Sequence, residues 1–173
     1  MESREAWVTY CVDTSSLITL QRVYPRAVFG GVWDRLAELA QARRLVAPRE
    51  VLNELERGGD DDIAQWAKAH RFIFRDPDDE HIALAKEIVN DPQFGKLFDV
   101  DSEQPDADPY VIALAVGEQR RPSMFEQTWV VVSDEGQAQP GKKPRIPDVC
   151  RDPRYQVECI RVLELFRREG WQF

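Results

Sequence analysis

The chain has 173 residues, 43% of them hydrophobic and 31% charged, with 31 acidic side chains against 23 basic ones and a formal net charge of −8. That length suits one domain with a real core, and the acidic balance excludes a protein that coats nucleic acid by bulk charge. No apolar run approaches the ~20 residues of a membrane span. Met1-Glu2-Ser3-Arg4-Glu5 lacks the basic-then-apolar layout of a signal peptide, so the expected compartment is the cytoplasm.

Val8 to Val12 is an apolar, β-branched and aromatic run that ends on Asp13, and Thr14-Ser15-Ser16-Leu17-Ile18 then opens an amphipathic segment. The pattern predicts a buried strand turning into a helix at Asp13. Asp13 either stands at the lip of a crevice at the strand's carboxyl end or caps the helix. After the break at Tyr24-Pro25, the spacing of Phe29, Val32, Trp33, Leu36 and Ala40 predicts a helix packed on the core. Arg44-Leu45-Val46-Ala47 reads as a second strand, and Pro48 leads into a helix over Arg49 to Arg57 that stops at Gly58-Gly59. That helix carries Glu50, Glu54 and Glu56 at the margin of its apolar face, and periodicity does not choose among them.

Asp60-Asp61-Asp62 opens a further helix, Phe72-Ile73-Phe74 reads as a strand or extended connector, and Asp76 to Glu80 opens a helix ending near Asn90. His70 lies on the apolar side of its helix, where a structural role is expected. Neither His70 nor His81 has a Ser or Cys placed for a triad. The stretch from Asp99 to Asp108 then holds Asp99, Asp101, Glu103, Asp106 and Asp108 without a basic residue. It precedes Pro109 to Val116, apolar nearly all round and therefore a buried helix. Pro109 disfavours the helical region at Asp108, which makes Asp108 the expected N-cap.

Thr128-Trp129-Val130-Val131-Val132 predicts a central parallel strand that ends in Ser133-Asp134-Glu135-Gly136. A loop from Gln137 to Pro144 follows, then Arg145 to Cys150 as a short extended piece. Cys159, Val162, Leu163 and Phe166 share one face of a last helix, closed by Gly170. Cys11, Cys150 and Cys159 lack CxxC spacing and are expected as buried free thiols. The clusters Arg43-Arg44 with Arg49, Arg120-Arg121, Lys142-Lys143 with Arg145, and Arg167-Arg168 are solvated surface, or the rim of a phosphate site.

Asp13, Glu54, Asp108 and the pair Asp134-Glu135 thus punctuate strand ends and helix starts. Carboxylates suit Mg²⁺ or Mn²⁺, hard ions that prefer oxygen, and such ions activate water against a phosphate. Val12-Asp13-Thr14-Ser15, Val51-Leu52-Asn53-Glu54-Leu55, Asp108-Pro109-Tyr110-Val111-Ile112-Ala113-Leu114-Ala115 and Val131-Val132-Ser133-Asp134-Glu135 together resemble the PIN-domain nucleases, in that family's order. Ile146-Pro147-Asp148-Val149-Cys150 resembles a PIN-like branch found among bacterial toxin–antitoxin candidates, so the likeness extends over residues 1–173 as one PIN-like domain.

The resemblance implies a three-layer α/β/α sandwich with a central, mostly parallel sheet. It implies metal-dependent cleavage of RNA with Mg²⁺ or Mn²⁺, an antitoxin protein partner as in VapC-type toxins, and no membrane; a homodimer is left open. It assigns Asp13, Glu54 and Asp108 to catalysis and metal binding, with Ser15 in support and Asp106 beside them. The fourth acid, counted as hydroxyl, any residue, acid from Ser133, falls on Glu135, which leaves Asp134 to cap the local turn. A PIN-fold module that binds RNA or protein without cleaving is the alternative. A phosphatase with Asp13 as nucleophile would want a second acid where Ser15 stands.

Overall fold

A computed structural model describes residues 7–95, 106–136, 140 and 144–173. Of the features noted above, Met1 to Glu5, Asp99, Asp101, Glu103, Lys142 and Lys143 lie outside the described residues. Five strands, β1 (Trp7–Val12), β2 (Leu45–Pro48), β3 (Phe74–Arg75), β4 (Gln127–Val132) and β5 (Glu158–Ile160), form one sheet in the order β3-β2-β1-β4-β5. All the pairings are parallel. β1 and β4 are in register along their whole length, from Trp7 opposite Gln127 to Val12 opposite Val132. Parallel strands need crossover connections, and helices supply them.

Alternation along β1 separates the two helical layers. Tyr10 faces one way, and its hydroxyl donates to Glu169 Oε1 at 2.6 Å, just after α8 (Val162–Arg168). Cys11 faces the other way, and its Sγ donates to the carbonyl of Val111 at 3.5 Å on α6 (Asp108–Arg120). The α8 layer also holds α1 (Thr14–Val23), α2 (Gly30–Gln41) and α4 (Asp61–Ala69). Tyr24, which closes α1, meets the Phe166 ring edge-on, and Trp33 meets Trp66 in the same way. α3 (Arg49–Arg57) packs beside α1 and α4. On the other face α6 packs against α5 (Asp79–Asn90) and α7 (Ile146–Arg151). The molecule is a three-layer α/β/α sandwich.

Three local expectations need correction. Arg145 to Cys150 is not extended, because Ile146–Arg151 is α7, with Pro147 in its first turn and the Asp148 carboxylate accepting the Arg145 N–H at 2.7 Å. Cys159 does not belong to the last helix but to β5, paired with Val131. Its spacing to Val162 and Phe166 is a coincidence: Cys159 meets Cys150 of α7 on the α6 side of the sheet, while Phe166 packs on Tyr24 in the other layer. Asp108 is not the N-cap of α6 but its first residue, and the cap position falls to Ala107. Asp106 instead accepts the Asp108 N–H at 3.1 Å.

Of the thiols, Cys11 and Cys150 are buried and free, while Cys159 is only partly buried. Cys150 is pushed up by a hydrogen bond with Cys159 and by burial. His70 stacks on Trp66 at 4.4 Å and meets the Trp66 carbonyl through Nδ1 at 2.9 Å, a structural role. No helix among the described residues is long and apolar enough to cross a membrane.

Glu169 ties the C-terminal helix to the sheet. Arg44 grips its two oxygens at 3.0 and 2.6 Å, and Tyr10 adds a third bond. Burial and this carboxylate push the Tyr10 hydroxyl up. Removing the carboxylate leaves the phenol and both terminal nitrogens of the Arg44 guanidinium unpaired, with only its Nε still donating to Val8 O at 2.9 Å. Glu169→Ala is expected to lower stability by about 2 kcal/mol in urea unfolding, more than Glu169→Gln, which keeps an acceptor for Tyr10.

Candidate functional site

In this strand order the crossovers leave β1 toward β2 on one side and reach β4 on the other. The chain direction therefore reverses between β1 and β4. Ligand crevices of parallel sheets form at the carboxyl ends of the strands at such a switch point. Asp13 directly follows β1, and Ser133-Asp134-Glu135 directly follows β4. The Asp13 N–H donates to Val132 O at 3.1 Å, so the two strand ends are joined.

Asp13 is 1% exposed. It caps α1, accepting the Ser16 N–H on Oδ1 at 2.7 Å and the Ser15 hydroxyl on Oδ2 at 2.8 Å. Burial raises its carboxyl above the ordinary carboxylate range, opposed by hydrogen bonds from Ser133, Ser16 and Ser15. Glu54 comes in from α3. Its Oε2 accepts the Thr14 hydroxyl, and its Oε1 accepts the Ala107 N–H at 2.9 Å. Those two donors select Glu54 over its neighbours. Glu56 is turned toward Arg71 at 3.6 Å, while Glu50 is half-buried beside Tyr110 and is raised mainly by burial.

Asp108, at the start of α6, has its carboxyl pushed up to about 8, first by burial and then by the charges of Asp106, Glu135, Asp13 and Glu54. Five carboxylates from four separate stretches of sequence therefore share one electrostatic neighbourhood. Glu135 belongs to it: burial raises it, with Asp13 and Asp106 adding, while the Ile146 N–H (3.3 Å to Oε2) and Arg145 lower it. Asp134 turns away and accepts the Val162 N–H at 2.9 Å, holding the start of α8. Ser133 is buried, and its hydroxyl accepts the Glu135 N–H at 3.3 Å.

Sequence reasoning named the acids but missed the groups that hold them: Thr14, Ser16, and the N–H groups of Ala107 and Ile146. It also missed two guanidiniums. A Cβ on Gly136 would lie 3.0 Å from Arg161 Nη2 and 3.9 Å from Arg145 Nη1. Both exposed arginines therefore stand beside Gly136, next to Glu135, and only Arg161 comes close enough to crowd a Cβ there. Arg145 carried a weak signal in its basic cluster, and Arg161 carried none.

A second grouping needs explanation. Asp78, His81 and Glu118 have ligand atoms within 4.8 Å of one another, closer than the acids at the strand ends are gathered. Every one of those atoms is already engaged. His81 Nδ1 accepts the Asp78 N–H and Nε2 meets Glu118 Oε1 at 3.1 Å, while Arg121 pairs with Asp78, Glu80 and Glu118. An ion here would have to displace the Arg121 guanidinium and, to reach the His81 Nδ1 lone pair, the Asp78 N–H as well. The Asp78 carboxyl is held down at about 2 by the His81 N–H and by Arg121. A Cβ on Gly117 would sit 2.8 Å from the His81 ring, so α5 and α6 close on each other here. The grouping is a helix junction.

The family model described as Domain of unknown function (DUF4411) matches residues 10–173. The chain belongs to this family. No curated protein matches it. The matched span contains Asp13, Glu54, Asp106, Asp108, Asp134 and Glu135.

Two outcomes follow from this geometry. Because the folded state holds the Asp108 proton up to about pH 8, against an ordinary value of 3.8, its contribution to stability is present in acid and is lost as pH rises toward 8. The loss is at most about 1.4 kcal/mol per pH unit. Asp108→Asn, neutral throughout, should therefore gain on the wild type between pH 4 and 8 and hold that gain above 8, in metal-free urea titrations. At the other grouping, His81→Ala should cost about 2 kcal/mol from lost packing and an unpaired Asp78 N–H. Mn²⁺ affinity by calorimetry should not change.

Proposed function

We propose that the chain is a PIN-like endoribonuclease dependent on Mg²⁺ or Mn²⁺, acting in the cytoplasm as the toxin of a toxin–antitoxin pair. The observation that carries this reading is the gathering of Asp13, Glu54, Asp108 and Glu135 at the switch point of the parallel sheet, with Asp106 beside them. The donor set fits the ion: every candidate ligand is a hard carboxylate oxygen, with no sulfur or imidazole among them. When bound, the ion would supply a water acidic enough to attack at neutral pH and would offset charge building on the phosphate.

The chain's own residues do the rest. Ser15 and Ser16 fix the rotamer of Asp13. Thr14 and the Ala107 N–H hold Glu54 between α1 and the start of α6, and the Ile146 N–H holds Glu135 at the start of α7. Arg145 and Arg161 stand where a substrate's flanking phosphates would meet a positive charge. A −8 chain gains nothing from long-range attraction to RNA, so binding would rest on such local contacts and would weaken steeply with salt. An antitoxin that places an Arg or Lys among the acids would compete with the ion directly.

Asp13→Asn is expected to abolish Mn²⁺-dependent RNA cleavage while the fold survives, since removing one charge relieves repulsion in the cluster. Cleavage at the wild-type rate by a well-folded Asp13→Asn protein would overturn the reading. Glu135→Gln should lower cleavage and Mn²⁺ affinity by roughly 10- to 100-fold. Asp134→Ala should instead lose about 1 kcal/mol of stability through the Val162 N–H and cleave normally. Expression without a partner should arrest growth, and Asp13→Asn should release the arrest.

A further inference from the structure

At the other edge of the sheet, where β1 and β4 begin, lies a cleft of about 830 Å³. Its walls include Trp7, Thr9, Arg75, Met124, Phe125 and Trp129. Trp7 starts β1 and Asp13 follows its end, so the cleft mouth is roughly 20 Å from the acid cluster at the usual rise of a strand. The volume falls within the range of small-molecule sites.

Two features of the lining call for a ligand. The Trp129 side chain is 3% exposed, and its Nε1–H is buried without a hydrogen-bond partner. A buried donor left unpaired is rare enough to need an explanation. Arg75, half-buried, lies over the Trp129 ring at 5.5 Å and pairs with no carboxylate among the described residues. The Trp129 and Arg75 side chains offer only donors. Of the two acids that line the cleft, Glu118 is taken up by Arg121 and His81, while Glu126 is exposed. The exposed part of the lining mixes the polar Arg43, Glu126 and Gln127 with large apolar side chains, Trp7 at 45%, Phe125 at 73% and Met124 at 94% exposed.

We propose that this cleft binds a small amphipathic anion, a carboxylate or phosphate on an aromatic body. Arg75 takes the charge, the Trp129 indole donates to an acceptor oxygen, and Trp7, Met124 and Phe125 cover the ring. A guanidinium stacked on the Trp129 ring with no carboxylate partner among the described residues, together with an indole N–H that has no acceptor, makes this an anion site rather than a general apolar one. An aromatic body matches exposed aromatic walls, where ring contacts add to area burial. The inference is independent of metal binding and of RNA cleavage.

The test uses the full chain with 1-naphthoate, 1-naphthyl phosphate and the neutral 1-naphthamide, by calorimetry and by ¹H–¹⁵N spectra of the indole N–H groups. The Trp129 resonance is assigned as the one missing from Trp129→Phe. Expected are binding of at least one anion at millimolar concentration or better, a downfield shift of the Trp129 indole signal, and at least tenfold weaker binding of the amide. Arg75→Gln should weaken the anion about tenfold or more and leave the amide unchanged, as loss of one charge-assisted contact requires. Comparison of the two anions decides between carboxylate and phosphate as the preferred head group. Should Trp129→Phe fail to fold, Arg75→Gln and the wild-type indole shifts still decide. No binding by either anion, equal binding of the amide, or binding indifferent to Arg75→Gln would overturn the proposal.

Discussion

Backbone N–H groups at the starts of helices hold the acid cluster together. A parallel sheet sends each strand's carboxyl end to the same edge, and the helices that follow begin there with N–H groups that have no partner of their own. In this chain carboxylates take them. Asp13 takes the start of α1, Glu54 the Ala107 N–H that leads into α6, Glu135 the Ile146 N–H of α7, and Asp134 the Val162 N–H of α8. The positive ends of these helices offset part of the charge. They do not cancel it: the Asp108 carboxyl has no hydrogen bond from a described residue and is pushed up to about 8. The side chains are held locally, while among the described residues Arg145 is the cation that lowers Glu135 and none lowers Asp108.

The topology decides which acids meet. β1 lies between β2 and β4, so the segment after it faces both the returning chain of α6 and the end of β4. Glu54 reaches the same place because α3 follows directly on β2, the other neighbour of β1. Sites built this way draw residues far apart in sequence onto one rigid edge. The same arrangement explains why Asp78, His81 and Glu118 serve a different purpose. They lie where α5 begins and α6 ends, and their charges are closed off by Arg121.

Much of this architecture is legible in the sequence because burial leaves a periodic trace. The run Val130-Val131-Val132 can only be a buried strand, and α6 is apolar on all sides because it packs between the sheet, α5 and α7. The readings that failed concern short elements. A three-residue strand next to a seven-residue helix gave Cys159 and Val162 a helical spacing, and a six-residue helix is too short to show its own period. The acids themselves could be named, but Glu54 could not be separated from Glu50 and Glu56 by any wheel. Thr14 and Ala107 make that choice, and they come from other elements. The cap of α6 moved one residue for a related reason: Asp108 with Pro109 enters the first turn, Ala107 takes the cap position, and Asp106 accepts the Asp108 N–H from outside the helix.

The two edges of the sheet differ in what they lack. The carboxyl edge gathers anions with few cations, and its arginines, Arg145 and Arg161, stand at the rim. The amino edge holds Arg75 and the Trp129 N–H with the nearby Glu118 already neutralised. Both are expensive in the isolated chain, since repulsion and unpaired donors raise its free energy without adding to the core. A sequence under no demand but stability would relieve each with one substitution, such as an Asn among the acids or a Phe for Trp129. Two such costs, at opposite ends of one well-packed sheet, are the pattern expected when the fold serves as a frame for ligands of opposite charge.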